Sequence, residues 1–223
     1  MKTTSLRPAL PALLPLLLIA ASAGGWATIS VEDLPDHLVA GQPVTLTFTV
    51  RQHGVEPIRG LEPRVEAEAG RLEARAAATP AGGAGRYAAT LTLPEAGEWA
   101  ITIHHGFGRG KLTLLPMTAL AGGSRPARAL PEPERGRRLF VAKGCVTCHV
   151  NGEAGAEDAS NSVGPDLTGR RFPAEYLSRF LADPSIGSRG GRGERMPNLQ
   201  LKAPEIASLV AFLNAERVGV VPQ

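Results

Sequence analysis

The chain has 223 residues and only two cysteines, Cys145 and Cys148, followed immediately by His149. Cys-x-x-Cys-His is the attachment signature of c-type haem. Two thiols separated by two residues reach the two vinyl groups on one edge of a porphyrin. The next residue then lies under the ring, where its imidazole ligates iron. Two other chemistries use similar residues. A dithiol redox site places Cys-x-x-Cys at a helix N-terminus after a strand. Here a helical pattern precedes the pair, and that chemistry needs no adjacent histidine. A structural zinc ion needs four ligands, and without a second cysteine pair it would have to borrow scattered histidines. The residues favour one covalently bound haem c, with iron held on one side by His149.

An electron-transfer iron usually takes a sixth ligand, and the methionines narrow the choice. Met1 opens the chain and Met117 falls in a Gly- and Pro-rich stretch, leaving Met196, 47 residues beyond His149. Methionine is commonly a filler of apolar cores. A polar loop beside Pro197 suits an axial ligand better, and a thioether there raises the reduction potential. No histidine lies C-terminal to His149, so a second imidazole would have to come from the first half of the chain.

Helices must position these residues. The spacing predicts a short helix over 134–143. A second covers 173–182, with Tyr176, Leu177, Phe180 and Leu181 on its buried face. A third runs over about 204–217, with Ile206, Leu209, Val210 and Leu213 at i, i+3, i+4, i+7 and Pro204 in its first turn. Pro184 ends the second. A Gly- and Arg-rich loop, 185–195, precedes Met196. Its Arg189, Arg192 and Arg195 either meet a haem propionate or face solvent and a partner.

With these elements in place, residues 134–217 resemble a class I, mitochondrial-type cytochrome c domain. The likeness rests on Gly136, Leu139-Phe140, Gly144 to His149, Gly164-Pro165-Asp166-Leu167-Thr168-Gly169, Tyr176-Leu177, Met196-Pro197 and the last helix. The resemblance implies an all-α cytochrome c fold. It implies that Gly136 and Phe140 pack the first helix on the last, and that the Pro165 carbonyl accepts from His149 Nδ1. Such a bond fixes the tautomer and increases ligand basicity. The polar stretch 151–161 departs from the pattern and is expected as a surface excursion.

Residues 27–116 follow a different period. Val44, Leu46, Phe48 and Val50 alternate with Thr45, Thr47, Thr49 and Arg51, and 86–93 and 98–104 repeat the alternation. Weaker strands are expected over 28–31, 63–68, 70–76 and 111–115. About seven short strands with regular turns predict an all-β sandwich of immunoglobulin-like type. It resembles the YtkA-like or FixH-like exported β-domains through 46–50, His53-Gly54, 57–63, and Gly85-Arg86-Tyr87 to Gly97-Glu98-Trp99. Residues 117–133, with Gly122-Gly123-Ser124, Pro126, Pro131 and Pro133, read as a linker. His37, His53, His104 and His105 lie in or near the sandwich strands. Exported sandwiches can bind copper through histidine, but consecutive His104 and His105 on a strand face opposite sides.

Residues 1–23 have the form of a secretory signal: Lys2 and Arg7, then an apolar run, then Ala21-Ser22-Ala23. The expectation is a periplasmic or otherwise extracytoplasmic protein after cleavage. The alternative is an N-terminal membrane anchor, although that apolar run is short and interrupted by Pro11 and Pro15. The formal charge is +3, and without residues 1–23 there are 22 basic against 21 acidic side chains. This is not the concentrated basic surface of a nucleic-acid binder. Residues 117–223 carry 14 basic and 11 acidic side chains, residues 24–116 carry 8 and 10. Opposite signs favour contact between the halves, or an acidic redox partner.

No catalytic group and no small-molecule substrate site is evident. The expectation is an electron carrier between a redox-protein donor and acceptor, among them a membrane-bound or periplasmic oxidoreductase, with the sandwich as a docking or spacing module. Alternatives are an electron-transfer subunit of a larger oxidoreductase, and a haem- or copper-handling protein.

Overall fold

The computed structural model describes residues 25–124, 128–155, 163–187 and 196–215. Residues 1–23 and Arg189, Arg192 and Arg195 lie outside them. The described residues form eleven strands and three α-helices: β1 (Ala27–Val31), β2 (Leu38–Val39), β3 (Pro43–Gln52), β4 (Glu56–Pro57), β5 (Arg64–Ala69), β6 (Leu72–Ala77), β7 (Thr79–Pro80), β8 (Arg86–Thr92), β9 (Gly97–His104), β10 (Lys111–Thr113), β11 (Met117–Leu120), α1 (Glu132–Ala142), α2 (Ala174–Ala182) and α3 (Ala203–Leu213).

The strands make two sheets. One has the order β1-β3-β8-β7 with β4 also on β3, and the other β2-β11-β9-β5-β6 with β10 also on β9. Period-two alternation explains the register. Leu46 faces Ala89 and Phe48 faces Tyr87 across the β3–β8 ladder, and all four are buried. From the second sheet, Val65, Ala67, Trp99, Ile101 and Ile103 are fully buried. The large aromatics keep their polar ends satisfied. Tyr87 donates its hydroxyl to the Ile58 carbonyl at 2.9 Å, and Trp99 donates Nε1–H to the Glu95 carbonyl at 3.1 Å.

The linker expected from 117 begins later. Met117–Leu120 pairs antiparallel with β9 and parallel with β2, and Met117 is buried with the sandwich core. Its four residues alternate inward and outward, a run too short to register as a period beside the Gly- and Pro-rich stretch.

In the helical region α1 packs on α3. Gly136 makes this approach possible, because a Cβ there would collide with the Ser208 carbonyl on α3. One turn on, Phe140 meets Phe212 with ring centroids 5.7 Å apart. Val210, expected on the buried face of α3, is only partly buried, and Phe212 takes the deeper position. Tyr176 stacks on Phe180 with ring centroids 6.0 Å apart, and both line a cavity shared with Cys145 and His149. The stretch expected as a surface excursion starts inside the fold, since Asn151 and Ala154 are buried. Residues 156–162 lie outside the described residues.

The two regions touch directly. Arg135 of α1 grips Asp36 with Nε and Nη2 at 2.9 and 2.6 Å, and the Leu130 amide donates to the same carboxylate at 3.1 Å. Lys202 pairs with Asp33. No helix among the described residues is long and apolar enough to cross a membrane.

Candidate functional site

The segment after α1 is shaped by Gly144, whose φ of +78° stops the helix. A short 3-10 turn, Cys145–Thr147, follows. The Cys148 and His149 amides donate to the Cys145 carbonyl at 3.1 and 2.8 Å. Cys145, Cys148 and His149 thus occupy positions i, i+3 and i+4 of one helical turn, which share a face. The required spacing is therefore local backbone geometry, and no disulfide joins the thiols.

These three residues line a cavity of about 500 Å³ together with Pro165, Met196 and Pro197. Phe140, Leu177, Leu181, Leu209 and Leu213 supply much of its apolar wall. That size and lining suit a cofactor site. His149 Nδ1 lies 3.0 Å from the Pro165 carbonyl oxygen. A carbonyl only accepts, so Nδ1 carries the proton and Nε2 is the nitrogen with a lone pair for metal. Gly164 leaves room for the ring, because a Cβ there would lie 2.5 Å from His149 Nδ1 and Cε1. Burial pushes the Cys145 thiol up to about 12, with the neighbouring Cys148 adding to the shift. The surroundings of this sulfur thus disfavour a thiolate and suit an uncharged thioether. Two sulfurs and an oriented imidazole on one apolar cavity fit covalent haem.

Residues that sequence reasoning did not assign complete the cavity. Trp26, Thr28 and His53 come from the sandwich. Lys143 also lines it and forms a buried ion pair with Glu205, Nζ to Oε1 2.6 Å. His53 stands out in the sequence only through a family likeness and as one of four sandwich histidines, and nothing local links it to Cys145, 92 positions away. His104 Nε2 meets Glu66 at 3.0 Å and His105 is buried beside Phe107. Among the described residues no three His, Cys, Asp or Glu side chains group to hold a metal ion.

Residues 131–213 match the family model described as cytochrome C oxidase, cbb3-type, subunit III. The match supports a c-type cytochrome domain at the C-terminus, a type of domain that binds haem and transfers electrons. The curated proteins include no match. Three solved structures share weak similarity. The surface layer protein SbsC, domains 1–6, is 21% identical over 45% of this chain and 14% of its own, with TM-score 0.34. The ZirS C-terminal domain is 13% identical over 54% of this chain and 86% of its own, with TM-score 0.28. The superoxide reductase (neelaredoxin) of Ignicoccus hospitalis is 20% identical over 46% and 86%, with TM-score 0.26. At such scores none of the three bears on function.

Proposed function

We propose that the chain is an exported mono-haem cytochrome c that passes single electrons between redox proteins. Cys145 and Cys148 would hold the haem through thioethers, and His149 and Met196 would hold its iron. Bound there, haem c supplies a one-electron ferric–ferrous couple. The Pro165 carbonyl keeps the His149 tautomer fixed, and the apolar wall excludes water, which together with the thioether favours a raised potential. The observation that carries this reading is the collection of Cys145, Cys148, His149 and Met196 on one apolar cavity. The form of residues 1–23 supports export. The sandwich reads as an immunoglobulin-like, YtkA- or FixH-like module that presents the haem domain to its partner.

The test is a spectroelectrochemical titration of the purified protein and of Met196→Ala. The ferric wild type shows the methionine–iron charge-transfer band, and the variant loses it and has a lower midpoint potential. Survival of the band in the variant would show that Met196 is not the ligand. A second reading draws on the family description, which names an oxidase subunit: the chain is then the electron-transfer subunit of a larger oxidoreductase. Stable copurification with such an enzyme favours it, and a monodisperse lone chain favours a free carrier.

A further inference from the structure

We propose that the sandwich clamps the loop bearing the sixth ligand, with Gly54 and Asp33 as its two positioning residues. This rests on the reading of Met196 as an axial ligand. The segment from Met196 to Lys202 meets the sandwich at both ends. At its start Pro197 packs on Gly54, where a Cβ would lie 3.2 Å from Pro197 Cγ and 3.8 Å from its Cβ and Cδ. Gly54 is buried and has φ +74°, so it is suited twice over to the lack of a side chain. At its end Lys202 is ion-paired to Asp33.

The turn that presents Gly54 is itself fixed to the sandwich. The His53 amide donates to the Trp26 carbonyl at 3.0 Å and the Val55 amide to the Gln52 carbonyl at 3.0 Å. The His53 ring meets Trp26 edge-on, with centroids 5.6 Å apart. The haem-binding segment abuts the same domain, since a Cβ on Gly144 would collide with the Ile29 carbonyl of β1. Both Gly144, which leads into Cys145, and Pro197, which follows Met196, are therefore seated on the same sandwich. The two arms of the clamp are unequal. Lys202 and Asp33 are 61% and 71% exposed, and exposed pairs contribute little. The Gly54–Pro197 contact is buried and steric, so it dominates.

Added imidazole reads the clamp, because it can occupy iron only when Met196 leaves. Its apparent affinity rises with the fraction of protein in which the methionine is off. The haem-loaded full chain is titrated with imidazole in the ferric state, following loss of the methionine–iron charge-transfer band. Gly54→Val should tighten the apparent Kd about tenfold, roughly 1.4 kcal/mol, and Asp33→Ala about two- to fivefold. The milder Gly54→Ala is the arm to use if the valine protein does not fold. Combining it with Pro197→Ala, which removes the opposing ring, should cancel the steric part of its effect and leave only the cost of the left-handed backbone at Gly54. Folded Gly54 variants that bind imidazole as the wild type does overturn the clamp. So does an effect of Gly54→Ala that persists unchanged without the Pro197 ring. Absence of the charge-transfer band from the wild type would instead reject Met196 as ligand, a separate result.

Discussion

Replacing Lys143 with methionine tests how the cytochrome region tolerates a charge beside its apolar cavity. Lys143 and Glu205 have side chains only 6% and 12% exposed, with Nζ and Oε1 2.6 Å apart. Methionine refills most of the lysine stem, so the loss is one of charge rather than of packing. Breaking a buried pair costs about 3–5 kcal/mol, because the remaining charge is left uncompensated. Glu205 keeps one partner, the Lys202 amide, which donates to Oε2 at 2.9 Å. The expected cost therefore sits near the lower end, about 3 kcal/mol. Lys143→Met combined with Glu205→Gln removes both charges and retains an acceptor for the Lys202 amide. It should recover to within about 1 kcal/mol of wild type. Urea unfolding of the haem-loaded protein, followed by far-ultraviolet circular dichroism, gives the comparison provided the m-values agree. A single variant costing less than about 1 kcal/mol, or a double variant no more stable than the single, would refute the reasoning.

Gly136→Ala should lower stability by about 3 kcal/mol despite the better helix propensity of alanine, because the new methyl would collide with the Ser208 backbone; a thermal melt above that of wild type would contradict the close α1–α3 approach. Asp36→Asn probes the junction and its pH dependence. Hydrogen bonds from the Arg135 guanidinium lower the Asp36 pKa in the folded chain. The stabilisation is therefore fully present above the unfolded value of about 3.9 and is lost as pH falls through the lowered folded value. Wild type should exceed the variant by about 1 kcal/mol at neutral pH, with the gap closing in acid; a gap constant down to pH 2 would count against the pair.

The turn that carries Cys145, Cys148 and His149 was legible in the sequence because its information is local. Cys145, Cys148 and His149 lie on one turn whatever surrounds them, and the i, i+3, i+4 spacing is the geometry itself. The β3 alternation was legible for the same reason, since a pleated strand sends successive side chains to opposite faces. Three things were not. Val210 fits the apolar stripe of α3 by position, but hydrophobic period does not say that Phe212 takes the deeper place. Met117–Leu120 is too short for alternation to stand out from the turn-rich residues around it. Lys143 and Glu205 are far apart in the chain, and nothing in a lone lysine and a lone glutamate announces that folding buries them together. The sandwich residues of the cavity, Trp26, Thr28 and His53, belong to this third kind.

The charge imbalance between the halves does find a structural use, and its size shows what holds the junction. The acidic excess of the first half contributes Asp33 and Asp36, and the basic excess of the second contributes Lys202 and Arg135. These pairs are partly or largely exposed, so each adds little affinity and is weakened by salt. The contacts between them are steric: Gly54 on Pro197, and Gly144 under the Ile29 carbonyl. Shape therefore sets the register of the sandwich on the cytochrome domain, while charge favours the approach. A sandwich that acted only as a tethered spacer would raise effective concentration without needing any fixed register. Fixed contacts beside Cys145 and beside Met196 make it a wall of the cavity, so a partner that docked on the sandwich would sit at a set distance from that cavity.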